Sequence, residues 1–72
     1  MPKLPPLKPQ EVEKILLKNG FVLNVQHGSH RQYFNPKTKA HVTVPFHSRD
    51  LAMGTLRSIV RQSLLPIDIF RK

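Results

Sequence analysis

The chain has no cysteine. That excludes disulfide staples, thiolate zinc sites and a thiol nucleophile, and it agrees with a reducing compartment. No apolar run approaches the ~20 residues that a membrane span needs. The opening Met1-Pro2-Lys3-Leu4-Pro5-Pro6 lacks the apolar central stretch of a signal peptide. The expected location is therefore cytoplasmic, with no membrane partner. Acidic residues are also scarce, four Asp and Glu against twelve Lys and Arg. There are no internal repeats, and 72 residues leave room for a single domain. We divide it into a proline-rich extended lead-in over 1–8 and a folded body over 9–70.

What is present in excess is positive charge. A net +8 on 8.3 kDa, with a pI near 10.7, costs a compact domain self-repulsion and so points to an anionic partner. Nucleic acid is the commonest such partner, ahead of an acidic protein or a lipid surface. The charge is spread along the chain, unlike that of a disordered basic tail.

The pattern along the chain predicts an α+β order. Pro9 suits the first position of a helix, where its missing N–H is harmless. Glu11 then falls where its carboxylate can reach back to the Lys8 N–H, and Leu7 with Val12 forms a hydrophobic staple. Val12, Ile15 and Leu16 make the buried stripe, with Lys14 and Lys18 facing out, and Asn19-Gly20 ends the helix. Residues 21–26 alternate, which predicts a strand with Phe21, Leu23 and Val25 on one face. His27-Gly28 reads as a hairpin turn, residues 29–35 as a second strand, and Asn35-Pro36-Lys37-Thr38 as a second turn. On the second strand Tyr33 is placed inward, with His30, Gln32 and Phe34 on the open face. A third strand covers 40–45 with Val42 and Val44 inward. After a loop over 46–51, a second helix runs from about Ala52 to Leu64. Its stripe is Leu56, Ile59, Val60 and Leu64, opposite Arg57 and Arg61. Gly54 weakens its first turn and is tolerated there if a backbone or a phosphate approaches closely. Ile67-Asp68-Ile69-Phe70 is a short return onto the core. The expected fold is α-β-β-β-α, with both helices on one face of a three-stranded antiparallel sheet and the other face open.

Chemistry centres on four histidines, His27, His30, His41 and His47. His27 and His30 straddle a turn and have no carboxylate or thiolate nearby to complete a tetrahedral set, so no metal or other cofactor is expected. Cleavage of RNA needs little machinery, because the 2′-OH is the nucleophile. A side chain must move protons and cations must meet charge on the phosphoryl oxygens. Histidine is suited to the first task, since the imidazole titrates near neutrality. Alternation aims Arg31 at the face opposite His30. Lys39, Arg49 or the first-turn amides near Gly54 are the alternative phosphate contacts. On residue types alone, a histidine on a strand of a basic domain is first a surface residue or a phosphate contact. Tyr33 and Phe34 could equally stack bases without chemistry.

Four short motifs occur in order: Leu16-Leu17-Lys18-Asn19-Gly20-Phe21, Gly28-Ser29-His30, Val42-Thr43-Val44-Pro45-Phe46-His47, and Gly54-Thr55-Leu56-Arg57-Ser58-Ile59. Together they resemble the HicA family of toxins, mRNA interferases of toxin–antitoxin pairs, over roughly residues 7–70. The resemblance implies a fold like the double-stranded-RNA-binding domain and a metal-independent endoribonuclease whose catalytic histidine is His30. It implies supporting or RNA-binding roles for Gly28, Ser29, Arg31, Lys39, His47, Arg49, Gly54 and Thr55. The partners it implies are an mRNA substrate and a HicB-type antitoxin that is acidic where it covers His30. The alternatives are a non-catalytic RNA-binding module of the same fold and a basic protein that docks an acidic one.

Overall fold

Pro9 opens the first helix, α1 (Pro9–Lys18), in this computed structural model, which describes residues 4–71. Met1, Pro2 and Lys3 of the expected lead-in, and Lys72, lie outside the described residues. The Lys8 N–H donates to a Glu11 carboxylate oxygen at 2.7 Å, the expected half of a capping box. Leu7 and Val12 are both buried, as a staple requires. Val12 and Leu16 carry the inward stripe, with Ile15 packed at its margin. At the other end Gly20 takes a φ of +91°, and the Phe21 N–H returns to the Leu16 carbonyl at 3.0 Å. This backbone bond crosses the helix end and satisfies a carbonyl the helix leaves free. The lead-in contributes to the core as well. Leu4 and Leu7 are buried, and the Leu51 N–H donates to the Leu7 carbonyl at 2.8 Å.

Three antiparallel strands come next, β1 (Val22–His27), β2 (His30–Phe34) and β3 (His41–Pro45), in the order β1-β2-β3. Arg31 and Tyr33 pair with Val44 and Val42 on one face, while His30, Gln32 and Phe34 pair with Pro45, Thr43 and His41 on the other. Tyr33, Val42 and Val44 are buried. The expected orientation of β2 is therefore the observed one. The first hairpin loop is Gly28-Ser29, one residue later than expected, with Gly28 at φ +56°. A glycine at the first of two loop residues is the requirement of a type II′ turn. The second turn is built on Asn35. Its side-chain oxygen accepts from the Lys37 and Thr38 amides, and its amide donates to the Asn19 carbonyl.

Strand β1 departs from simple alternation. The register skips Asn24, so Leu23 faces Tyr33 but Val25 faces Gln32. A bulge of this kind inserts one residue and reverses the facing of the residues beyond it. Leu23 and Val25 therefore lie on opposite faces, against the expectation that they share one. Leu23 is still 44% exposed, on an edge strand of the sheet.

Helix α2 (Met53–Ser63) lies against the β3 side, where the Gln62 side-chain carbonyl accepts from the Thr43 amide. Leu56 and Ile59 are buried and Val60 packs beside them. Leu64, expected in this stripe, is 67% exposed. It is the helix cap, in the left-handed conformation at φ 60°, and the i+7 position belongs to Ser63. The Ser63 hydroxyl is buried but satisfied, donating to the Val60 carbonyl and accepting from the Leu65 amide. Arg57 and Arg61 are exposed. A closing 3₁₀ turn, Ile67–Phe70, delivers Phe70 into the core that also holds Leu16, Leu56 and Ile59. Among the described residues, no helix is long and apolar enough to cross a membrane.

Gly54 is not explained by a close backbone. A Cβ built there meets no protein atom within 4 Å. At Gly20, by contrast, a Cβ would sit 3.3 Å from the Asn35 side-chain nitrogen, on a backbone with positive φ. Gly54→Ala should therefore stabilise the fold by up to about 1 kcal/mol. Gly20→Ala should destabilise it by about 1–2 kcal/mol. Chemical denaturation of both variants checks the pair, and equal shifts of one sign would contradict it.

Candidate functional site

The open face of the sheet is built by the residues that alternate with the core. His30 is the first residue of β2 and is exposed. Its cross-strand neighbours are His27 on β1 and Pro45 on β3. Further along the same face lie Gln32, Thr43 and Val25, then Phe34 with His41. The Phe34 and His41 rings are 4.8 Å apart and tilted by 42°. No hydrogen bond within the described residues engages the His30 ring. Both nitrogens are therefore available to a ligand.

The loop after β3 is tied to the hairpin turn. The Phe46 amide donates to the Ser29 carbonyl at 2.6 Å, which carries the pairing one residue past each strand. His47 and Arg49 thus lie at the His30 end of the sheet. The His47 Nδ1 accepts from the Arg49 amide at 3.2 Å, which leaves Nε2 as the nitrogen carrying a proton in the neutral ring.

Behind the sheet, Arg31 performs a different task. Its Nη1 donates to a Glu13 carboxylate oxygen on α1 at 2.8 Å, and the Tyr33 hydroxyl donates to the same oxygen at 2.5 Å. The guanidinium carbon lies 4.0 Å from the centroid of the Phe46 ring, a cation–π stack. Its Nε is buried with no partner among the described residues. The hydrogen bond to Glu13 raises the Arg31 pKa above its ordinary value. Burial, and then the bond to Glu13, raise that of the Tyr33 phenol well above its own. Arg31 thus holds the loop that carries His47, from the face opposite His30.

The expected site residues do not all come together. Gly28, Ser29, His30, His47 and Arg49 converge on one end of the sheet. Lys39 does not join them. It is exposed, with φ 65°, in the turn that leaves β2 at its other end. The five residues of β2 separate the two ends by roughly 14 Å at ~3.4 Å per residue. Gly54 and Thr55 occupy the first turn of α2, where Gly54 is exposed. Sequence reasoning considers His27 only as half of a metal pair. The signal that marks it is its position, across a two-residue glycine turn from His30. Among the described residues, no group of three or more His, Cys, Asp or Glu is arranged to hold a metal ion. A groove lined by Glu11, Lys14, Ile15, Lys18, Asn19 and Ile69 lies on the α1 side and contains no histidine.

Comparison with known protein families matches residues 9–65 to one family model, described as "HicA toxin of bacterial toxin-antitoxin". A search of curated proteins finds no match to the chain.

Tyr33 is the sole tyrosine, so its titration can be followed without ambiguity. A phenol whose pKa is raised in the fold stabilises that fold while it keeps its proton. The contribution is complete below about pH 10, the unfolded value, and is lost as pH rises from there toward the folded one. Phenolate absorbance should therefore appear only well above the ordinary tyrosine range, and stability should fall over the same interval. Glu13→Gln should lower the midpoint in part, because burial remains. A native midpoint at the value of free tyrosine would contradict the buried hydrogen-bonded phenol.

Proposed function

Because the chain belongs to the HicA toxin family, a toxin of bacterial toxin–antitoxin pairs, we propose that it is a metal-independent endoribonuclease that cleaves mRNA. The observation that carries this reading is the presentation of His30: first on its strand, exposed, on an open face, with no hydrogen bond within the described residues. His30 acts as general acid–base toward the 2′-OH or the leaving 5′ oxygen. The RNA supplies its own nucleophile, so the protein need only move protons and hold phosphates.

Charge on the phosphate is met by groups around that end of the sheet. His47 and Arg49 lie in the adjoining loop, the Gly28-Ser29 turn brings backbone close, and the first turn of α2 at Gly54 and Thr55 offers N–H groups. Lys39 extends the basic surface at the far turn and gathers RNA without touching the reacting phosphate. Arg31 supports the site from behind through Phe46. A single general acid–base contributes about 10²–10⁴ in rate. The expected enzyme is slow, which is sufficient for a toxin that acts on a shared pool of transcripts. The proposed partner is an antitoxin of HicB type, acidic on the surface that covers His30.

One observation favours a second reading. The Phe34 and His41 rings on the open face make a platform on which bases could stack without chemistry. A binding module of this kind leaves RNA intact after long incubation.

The two are separated by incubating the protein with single-stranded RNA in excess chelator. Cleavage is expected, with a loss of at least about 100-fold in His30→Ala. RNA binding by that variant should persist and weaken steeply with salt. Equal cleavage by the variant would remove His30 from its role, and no cleavage by the native chain would leave the binding module.

A further inference from the structure

The nuclease reading leaves one chemical role unfilled. Transfer of a phosphoryl group from O5′ to O2′ requires a proton to leave one oxygen and another to reach the second. One imidazole cannot do both in the same step. A second proton-transfer group must lie within a few ångströms of His30, on the same face.

The rest of the chain excludes most candidates. The four side-chain carboxylates are all engaged elsewhere. Glu11 accepts from the Lys8 amide, and Glu13 holds Arg31 and Tyr33. Asp50 pairs with Lys8 at 3.6 Å, and Asp68 with Arg71 at 2.8 Å. The one phenol, Tyr33, is buried on the other face and donates to Glu13. There is no cysteine. No lysine lies on any of the three strands. His41 pairs with Phe34 at the far end of β2.

Two histidines remain, His47 and His27. His47 stands in the loop beyond β3, with its Nδ1 engaged by the Arg49 amide. His27 is directly opposite His30 in the β1–β2 register, the two residues closing the Gly28-Ser29 loop between them, so it is the one whose place beside His30 the register fixes. Directly opposed residues share a face, with Cβ atoms about 4.5–5.5 Å apart. Both are exposed. Two imidazoles at that spacing can flank a single phosphodiester. The other titratable or charged groups in the adjoining loop are His47, Arg49 and the Asp50 already paired with Lys8, and the neighbours of the two imidazoles on this face, Gln32, Val25 and Pro45, are uncharged.

We propose that His27 is the second proton-transfer group of the site and that His27 and His30 work as a general acid–base pair. This rests on the nuclease reading and supplies the partner that reading lacks. In the step, the neutral ring takes the proton of the 2′-OH as the O2′–P bond forms. The imidazolium gives its proton to O5′ as the P–O5′ bond breaks. The products are a 2′,3′-cyclic phosphate and a free 5′-hydroxyl. One proton has entered the pair and one has left it, so its total charge is unchanged. Exchange with solvent restores the starting arrangement, and no further reactant is needed.

The test uses a single-stranded RNA oligonucleotide, with chelator present, under single-turnover conditions. The native chain should show a bell-shaped pH–rate profile. His27→Ala and His27→Asn should each cleave at least about 100-fold more slowly and lose one limb of the bell. Their RNA binding should persist. The same oligonucleotide with sulfur in place of the bridging O5′ needs no acid, so it should restore whichever of the His27 and His30 variants lacks the acid, and only that one. His47→Ala should keep both limbs. Native rate and profile in both His27 variants would overturn the pair while leaving the nuclease reading intact. Loss of a limb in His47→Ala alone would also overturn it. A native chain that leaves the oligonucleotide whole would remove the nuclease reading, and the pair with it.

Discussion

One carboxylate oxygen of Glu13 accepts from both Arg31 and Tyr33, and most of the molecule depends on that double contact. It joins α1 to the central strand through two residues on the same face of β2. A strand has a period of two, so a slip of one residue moves every side chain to the other face. Hydrophobicity alone does not prevent that slip here. The strand His30-Arg31-Gln32-Tyr33-Phe34 has one aromatic on each face. A slip would take both Arg31 and Tyr33 from Glu13 and leave a partly buried charge without a partner, which is strongly disfavoured. The polar contact therefore specifies the register, and the register decides that His30 faces outward.

The same contact reaches the loop. Arg31 lies against Phe46, and the Phe46 amide is bonded to Ser29. A path of direct contacts thus runs from α1 through β2 to the segment that carries His47 and Arg49. Arg31 stands next to His30 in the chain yet serves it from the far side of the sheet. The distribution of charge obeys the same division. The few acids are engaged within the fold, and the excess of cations is left to attract a polyanion.

Much of this was legible in the chain. The bounds of α1 followed from Pro9, Glu11 and Asn19-Gly20, because each acts through local backbone geometry. The inward placement of Tyr33, Val42 and Val44 followed from alternation. Two of the departures lie on the edge strand β1 and one at the end of α2. The bulge at Asn24 turns Val25 to the open face, and no residue near it announces a bulge. Leu23 reads as core but lies half-exposed on an edge strand. Leu64 suits the α2 stripe by hydrophobicity, but the helical period favours Ser63, whose hydroxyl is satisfied by its own backbone. The site divides in the same manner. His30 is identified through the resemblance of its motif to a family. The adjacency of His27 required the hairpin register, and the remoteness of Lys39 required the direction of β2.

His30 is exposed on the open face of the sheet, and that is a consequence of size. A domain this small buries only about 60% of the surface of its unfolded chain. Its one core, between the helices and the inner face of the sheet, uses most of its large apolar side chains. Nothing is left to build a lid or a cleft over the outer face. A substrate held there stays in contact with water, where fixed charges are screened and stabilise a transition state less than they do in an enclosed site. Under the proposed reading, affinity for RNA comes from positive charge and not from enclosure, so it is sensitive to salt and tolerant of sequence. Such a surface has no internal means of turning itself off. Among the described residues no hydrogen bond ties a segment to the His30 ring, and under the proposed reading control falls to a second protein that covers the open face. That is the arrangement a toxin–antitoxin pair provides.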